Sequence, residues 1–193
     1  MKRICVFCGS SPGRLPEYAE SARRLGRVLG SRGLGLVYGG GSVGMMGVVA
    51  DGALEAGAEV IGVIPKPLAV REVMHEGLSR LEVVGSMHER KARMAALSDA
   101  FLALPGGIGT LEEFCEIFTW GQLGIHAKPF GLLNVAGYFD GFLAFLDHAT
   151  AEGFIQGKHR DLIVVDRDPE PLLASFESWR APAEKRWIGW NEI

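Results

Sequence analysis

The sequence predicts an α/β fold, a single domain whose mainly parallel sheet is covered by helices on both faces. Three observations carry that expectation. Seven strand-like apolar runs alternate with helical stretches, the signature of βαβ units. Several of the runs are apolar without alternating, as strands buried on both faces are. Two of them end in glycine-rich turns that open directly into helices. In order, the runs cover residues 3–10, 34–41, 59–65, 80–86, 99–107, 129–135 and 161–166. Between them Glu17 to Gly30, Gly44 to Glu55, Met87 to Leu97, Leu111 to Leu123 and Phe139 to Glu152 read as helices. With 193 residues, 48% of them hydrophobic, the chain can bury one substantial core and is short for two, so residues 1–193 form one expected domain. The segment from Pro169 carries Phe176, Trp179, Trp187 and Trp190, aromatic surface that is costly to leave in water. It is expected to pack on the body or on a second subunit.

The bulk numbers narrow the function classes. No apolar run approaches the roughly 18 to 20 residues that a membrane span needs, and the N-terminal residues enter a strand-like run at once, without a leader's apolar region. A cytoplasmic protein is the expectation. Cys5, Cys8 and Cys115 are odd in number and suit reduced thiols better than a disulfide framework, and their spacing offers no four-ligand zinc site. A net charge of −3 gives no overall basic footprint for nucleic acid. A small molecule is the expected partner.

The first glycine turn, Gly39 to Gly47, contains G-x-G-x-x-G from Gly39 to Gly44. A dinucleotide fingerprint also requires an acidic residue ending the next strand, which here closes on Val63-Ile64-Pro65. A nicotinamide dinucleotide site is therefore disfavoured, and a tight turn without a ligand stays open as an alternative.

The second turn is more informative. A buried strand ending at Pro105 runs into Gly106-Gly107-Ile108-Gly109-Thr110 and then an acidic, amphipathic helix. That order places oriented N–H groups at the C-terminal edge of the sheet, where open α/β folds bind anions. The competing reading is local: Thr110 with Glu113 spells a T-x-x-E capping box, in which Glu113 only closes the helix start. Arg90 bears on the choice. At about 100° per residue Met87, Arg90, Met94 and Leu97 fall within a wedge of about 80°, so the arginine sits inside an apolar stripe. A guanidinium there needs an anion, a carboxylate or a phosphate, unless it snorkels to solvent or serves a structural pair.

Taken together these stretches resemble the LOG family, phosphoribohydrolases that release cytokinins from their riboside monophosphates and have been mislabelled lysine decarboxylases. The resemblance rests on P-G-G-x-G-T-x-x-E at Pro105 to Glu113, M-H-x-R-K at Met87 to Lys91, the glycine loop Gly39 to Gly47, and Thr119-Trp120 with the segment Gln122 to Pro129. It extends from Cys8 to about Arg160. It implies a Rossmann-like, doubly wound fold, with Arg90 and Glu113 as the catalytic pair. Met87, Lys91, Gly106, Gly107, Ile108, Gly109 and Thr110 would contact the nucleotide, with Gly109 and Thr110 at its phosphate. Glu72, in a partial match to P-x-x-L-x-x-R-E from Pro65, and Thr119 would complete the pocket. Members pair as dimers with active sites near the interface, so a homodimer is implied, with no metal and no redox cofactor.

The expected activity is hydrolysis of the N-glycosidic bond of an adenosine 5′-monophosphate, N6-modified or not, to free base and ribose 5-phosphate. A carboxylate near C1′ would stabilise the charge that develops on the ribose. The main alternative is a carrier that binds a nucleotide or the molybdenum cofactor without turning it over. A pyridoxal-phosphate decarboxylase would need a Schiff-base lysine with an acidic partner, and no lysine here lies in such a motif.

Overall fold

A computed structural model describes residues 1–69 and 74–181. All seven expected strands form: β1 (Arg3–Phe7), β2 (Gly35–Tyr38), β3 (Val60–Pro65), β4 (Arg80–Val84), β5 (Ala100–Ala103), β6 (Phe130–Leu133) and β7 (Ile163–Asp166). They make one sheet in the order β4-β3-β2-β1-β5-β6-β7, with every pair parallel. Four of the seven, β2, β3, β5 and β6, are buried at every position, which is why their sequences are apolar without alternation. β1 departs from that only at half-exposed Arg3, its first residue.

The helices are α1 (Pro16–Ser31), α2 (Gly44–Glu55), a single turn α3 (Lys66–Ala69), α4 (Met87–Leu97), α5 (Ile108–Gln122), α6 (Asp140–Ala151), a short α7 (Gly157–Arg160) and α8 (Pro169–Ser178). One face of the sheet is covered by α1, α2 and α8 through Leu25, Leu29, Met45, Val49, Leu172 and Phe176. Met94, Phe114, Ile117, Phe118 and Leu146 of α4, α5 and α6 cover the other. The fold is thus the doubly wound α/β domain that the alternation of periods predicts. Beyond α8, Trp179 donates from Nε1 to the Leu162 carbonyl at 3.2 Å, while Trp187 and Trp190 lie outside the described residues.

The order of strands fixes where a ligand can go. β1 has β2 on one side and β5 on the other, so the chain winds outward in both directions from the β1/β5 boundary. The turns leaving β1 and β5 part there and leave a crevice at the C-terminal edge of the sheet.

Candidate active site

The first helix that serves this edge is α4. Ser86 caps it by accepting from the Glu89 N–H at 3.1 Å, and Glu89 in turn accepts from the Gly85 N–H at 2.7 Å. With the acidic side chain of that turn used at the cap, Arg90 is the next to face the sheet. Its Nε donates to the Val63 carbonyl of β3 at 3.1 Å, and its side chain is 12% exposed. One terminal nitrogen lies 3.9 Å from the Met87 thioether and 3.8 Å from a carboxylate oxygen of Glu113. The other fills the space over Gly39, just past β2, where a Cβ would stand 2.2 Å from it. That glycine is required by close approach: any side chain there would displace the guanidinium.

Helix α5 brings the carboxylate. It begins at Ile108, three residues before the expected Leu111, with Gly107 as its N-cap and no side chain capping it. Thr110 is therefore inside the first turn and Glu113 in the second, so the capping box that T-x-x-E spells does not form. The N–H groups of this first turn have no partners within the helix, as at any helix start. They face an edge where Ile108 is 81% exposed and the space around Gly109 is open. Behind them Thr110 is buried, its hydroxyl packed so closely on Gly106 that a Cβ at that glycine would fall 2.2 Å from Oγ1. Glu113 is 12% exposed. Burial raises its carboxyl to about 7, against the lowering pull of Arg90 and Lys91 and with a further push from Glu112 and Glu116. Cys5 and Cys8 of the β1 end lie close enough to feel its charge, and burial keeps both thiols neutral.

A cavity of ≈ 290 Å³ opens at the β1/β5 crevice; it shares the Gly106-Gly107 turn with the site but is not lined by Arg90 or Glu113. The turn after β1 (Gly9, Ser10, Ser11, Pro12, Gly13), Pro105 to Gly107, Met45, Tyr18 and Tyr138 line it. The two turns are tied to each other by the Gly9 N–H on the Pro105 carbonyl at 3.2 Å, and to α2 by the Met45 N–H on the Gly9 carbonyl at 3.0 Å. Tyr138 donates its hydroxyl to the Gly106 carbonyl at 2.5 Å and meets Tyr18 edge to face, ring centres 5.7 Å apart. The wall of this cavity is mostly apolar, with Ser10 and Ser11 among the residues that line it. Sequence reasoning missed the Gly9 to Gly13 turn, although Cys8-Gly9-Ser10-Ser11-Pro12-Gly13 ends a strand and precedes a helix as the second glycine turn does.

Comparison with known proteins decides the family. A family model described as possible lysine decarboxylase matches residues 46–176. Probable cytokinin riboside 5′-monophosphate phosphoribohydrolase LOGL9 of Oryza sativa subsp. japonica is 54% identical over 178 residues, 92% of this chain and 78% of that protein. Cytokinin riboside 5′-monophosphate phosphoribohydrolase LOG7 of Arabidopsis thaliana is 49% identical over 194 residues, 100% of this chain and 89% of its own. The chain belongs to the LOG family. Among solved structures, the molybdenum cofactor carrier protein of Chlamydomonas reinhardtii superposes with a TM-score of 0.68 at 25% identity, covering 92% of this chain and 96% of that one. The molybdenum cofactor binding protein of Rippkaea orientalis gives 0.70 at 24%, over 92% and 97%. These likenesses speak to the fold.

Set beside the LOG-family resemblance, some of the expected site residues come together and others do not. Arg90 and Glu113 come together, with Met87 against Arg90, and Gly106 to Thr110 form the turn beside them. Lys91 is buried beneath the α4–α5 seam, its ammonium 2.5 Å from Glu112 and 2.9 Å from Glu116. Thr119 is six residues beyond Glu113, about 9 Å along the helix and on another face. It is exposed and its hydroxyl donates to the Cys115 carbonyl at 2.8 Å, so within one chain it does not reach Arg90 and Glu113. Glu72 lies outside the described residues. His126, in the segment Gln122 to Pro129, is buried, lowered to about 4 by that burial, and hydrogen-bonded to the Ile117 carbonyl at 2.9 Å. It is a structural, neutral imidazole.

Proposed function

We propose that the chain hydrolyses the N-glycosidic bond of a nucleoside 5′-monophosphate with an adenine or N6-substituted adenine base, giving the free base and ribose 5-phosphate. The names of its relatives, at about half identity over nearly the whole chain, support this substrate class. The observation that carries the chemistry is Glu113, a buried carboxylate beside Arg90 at the shoulder of an uncapped helix N-terminus. A carrier that only holds an anion gains nothing from a carboxylate there, because like charges repel. The description of the family as possible lysine decarboxylase fits the residues less well. Lys91 is held by two glutamates and Lys128 donates to the Ala95 carbonyl at 2.8 Å, so neither ammonium is presented for Schiff-base formation.

In this reading the first-turn amides of α5 and the Gly106-Gly107 turn hold the 5′-phosphate, which the helix dipole favours. Phosphate binding then fixes the ribose over the sheet edge, so that remote binding energy lowers the barrier at C1′. As the bond to the base lengthens, positive charge grows on the ribose ring, and ionised Glu113 stabilises it and orients the attacking water. Arg90, anchored on Val63 and backed by Gly39, holds the carboxylate in place. A carboxyl poised near 7 suits a group that must be ionised for attack yet take up a proton from water.

Two further properties belong to this reading. Exposed Val83, Met87 and Ile108 near the site give apolar surface for a homodimer, in which Thr119 of one chain would approach the site of the other. The free thiols of Cys5, Cys8 and Cys115, and the lack among the described residues of any helix long and apolar enough to cross a membrane, suit the cytoplasm.

The test is direct. The protein is incubated with AMP, isopentenyladenosine monophosphate and adenosine, and free base is measured by chromatography. Base should appear from the monophosphates at least about 100-fold faster than from adenosine, since the phosphate supplies the anchoring energy. Equal rates on AMP and adenosine overturn the anchoring, and no base from any of them overturns the hydrolase.

A further inference from the structure

Arg90 and Lys91 are adjacent on α4, and both reach α5. The first approaches Glu113 at 3.8 Å, while the second meets Glu112 at 2.5 Å and Glu116 at 2.9 Å. Glu112 and Glu116 are four residues apart, on one face of α5, so Lys91 grips two successive turns that bracket Glu113. The grip is an inner one: the Lys91 side chain is 9% exposed, against 24% for Glu116 and 52% for Glu112. A buried ammonium with two carboxylates is held far more firmly than a surface pair, and removing it would strand charge at the seam. The Arg90–Glu113 contact, by contrast, is longer than a hydrogen bond and cannot by itself set the separation of the two helices.

We propose that Lys91 is a positioning residue, a clamp on Glu112 and Glu116 that sets the register of α4 on α5 at which Arg90 faces Glu113. Its ammonium is spent on the protein, and the nucleotide is left to Arg90 and the glycine turn. The clamp also sets the field on Glu113. The charged groups around that carboxyl are Arg90 and Lys91 on α4 and Glu112 and Glu116 on its own helix, with the neutral thiols of Cys5 and Cys8 on the β1 side. Lys91 is one of the two cations that hold the carboxyl down; without it, two acidic neighbours are left uncompensated.

The proposal rests on the hydrolase reading, so the wild-type assay with AMP tests that reading first and separately. A second readout, titration of Glu113 in the free protein by carbon-13 NMR of labelled glutamate, needs no turnover. Lys91→Met should lower kcat at least tenfold with KM for AMP changed less than about threefold, and should move the Glu113 midpoint and the rising limb of the pH profile to higher pH. Lys91→Arg, which keeps two-point contact, should restore most of kcat and return the midpoint. Should Lys91→Met fail to fold, Glu116→Gln gives the same test. It removes one arm and one negative charge, so kcat should fall several-fold and the midpoint should move to lower pH. A direct contact with the nucleotide predicts the opposite split, KM raised tenfold or more with kcat and the Glu113 midpoint unmoved, and that result overturns the clamp. Wild-type kcat and midpoint in Lys91→Met, or in Glu116→Gln where Lys91→Met does not fold, overturn it too.

Discussion

Glu113 is held where its ionised form is costly. Burial lifts its folded-state value from 4.5 to about 7, so between those values the native protein binds the more protons and stability falls as pH rises through that window. Above pH 7 the full cost is at most about 3 kcal/mol, the shift converted at roughly 1.4 kcal/mol per unit. Glu113→Gln resembles the protonated side chain. It should match the wild type in urea melts at pH 5 and be the more stable by about 1–3 kcal/mol at pH 8.5; its turnover should fall on the order of 10²-fold at pH 8.5 and much less at pH 5, where the wild-type carboxyl is itself mostly protonated. An equal stability difference at the two pH values would falsify the raised carboxyl. The free enzyme's kcat/KM should rise with pH through about 7 for the same reason. Gly39→Ala probes the partner: its Cβ would press on the Arg90 guanidinium, and a fall in kcat of tenfold or more with circular dichroism unchanged is the expected result.

At the scale of elements, the start of α5 is the part built for an anion. Gly106 is glycine because Thr110 and the Gly9 amide leave no room for a Cβ, whereas the space around Gly109 is open. Packing therefore gives no reason for glycine at 109. Gly109→Ala should stabilise the helix by about 0.5–1 kcal/mol, visible as a higher melting temperature. If the phosphate sits against the first-turn amides, the added methyl should also weaken AMP at least tenfold in calorimetry. Unchanged affinity would move the phosphate away from this turn.

For the whole molecule, the sheet order places β1 and β5 side by side and so makes one crevice from turns far apart in sequence. Exposed apolar residues near that crevice, with Thr119 turned away from it, make self-association the expected state. Light scattering should give twice the chain mass at micromolar concentration, and AMP should raise the melting temperature of that species. A monomer with full activity would remove the interfacial site.

The strands, the long helices and the buried arginine were legible in the residues because they depend on local periodicity. Apolar runs without alternation mark doubly covered strands, and an arginine inside a 3.6-residue stripe must meet an anion wherever the helix packs. The glycine turn before α5 was legible too, since a strand, a turn and a helix start are contiguous. What sequence could not decide is contact between segments. The T-x-x-E pattern fitted a capping box equally well, until Gly107 rather than Thr110 proved to be the cap and left Glu113 free to face Arg90. The Gly9 to Gly13 turn became part of the site only because β1 lies next to β5, a fact of strand order that no local pattern encodes. Lys91 shows the same limit. Its neighbour Arg90 marks the helix face, but which charges Lys91 meets was settled by the approach of α5, whose two glutamates are four residues apart and reachable only once the helices pack.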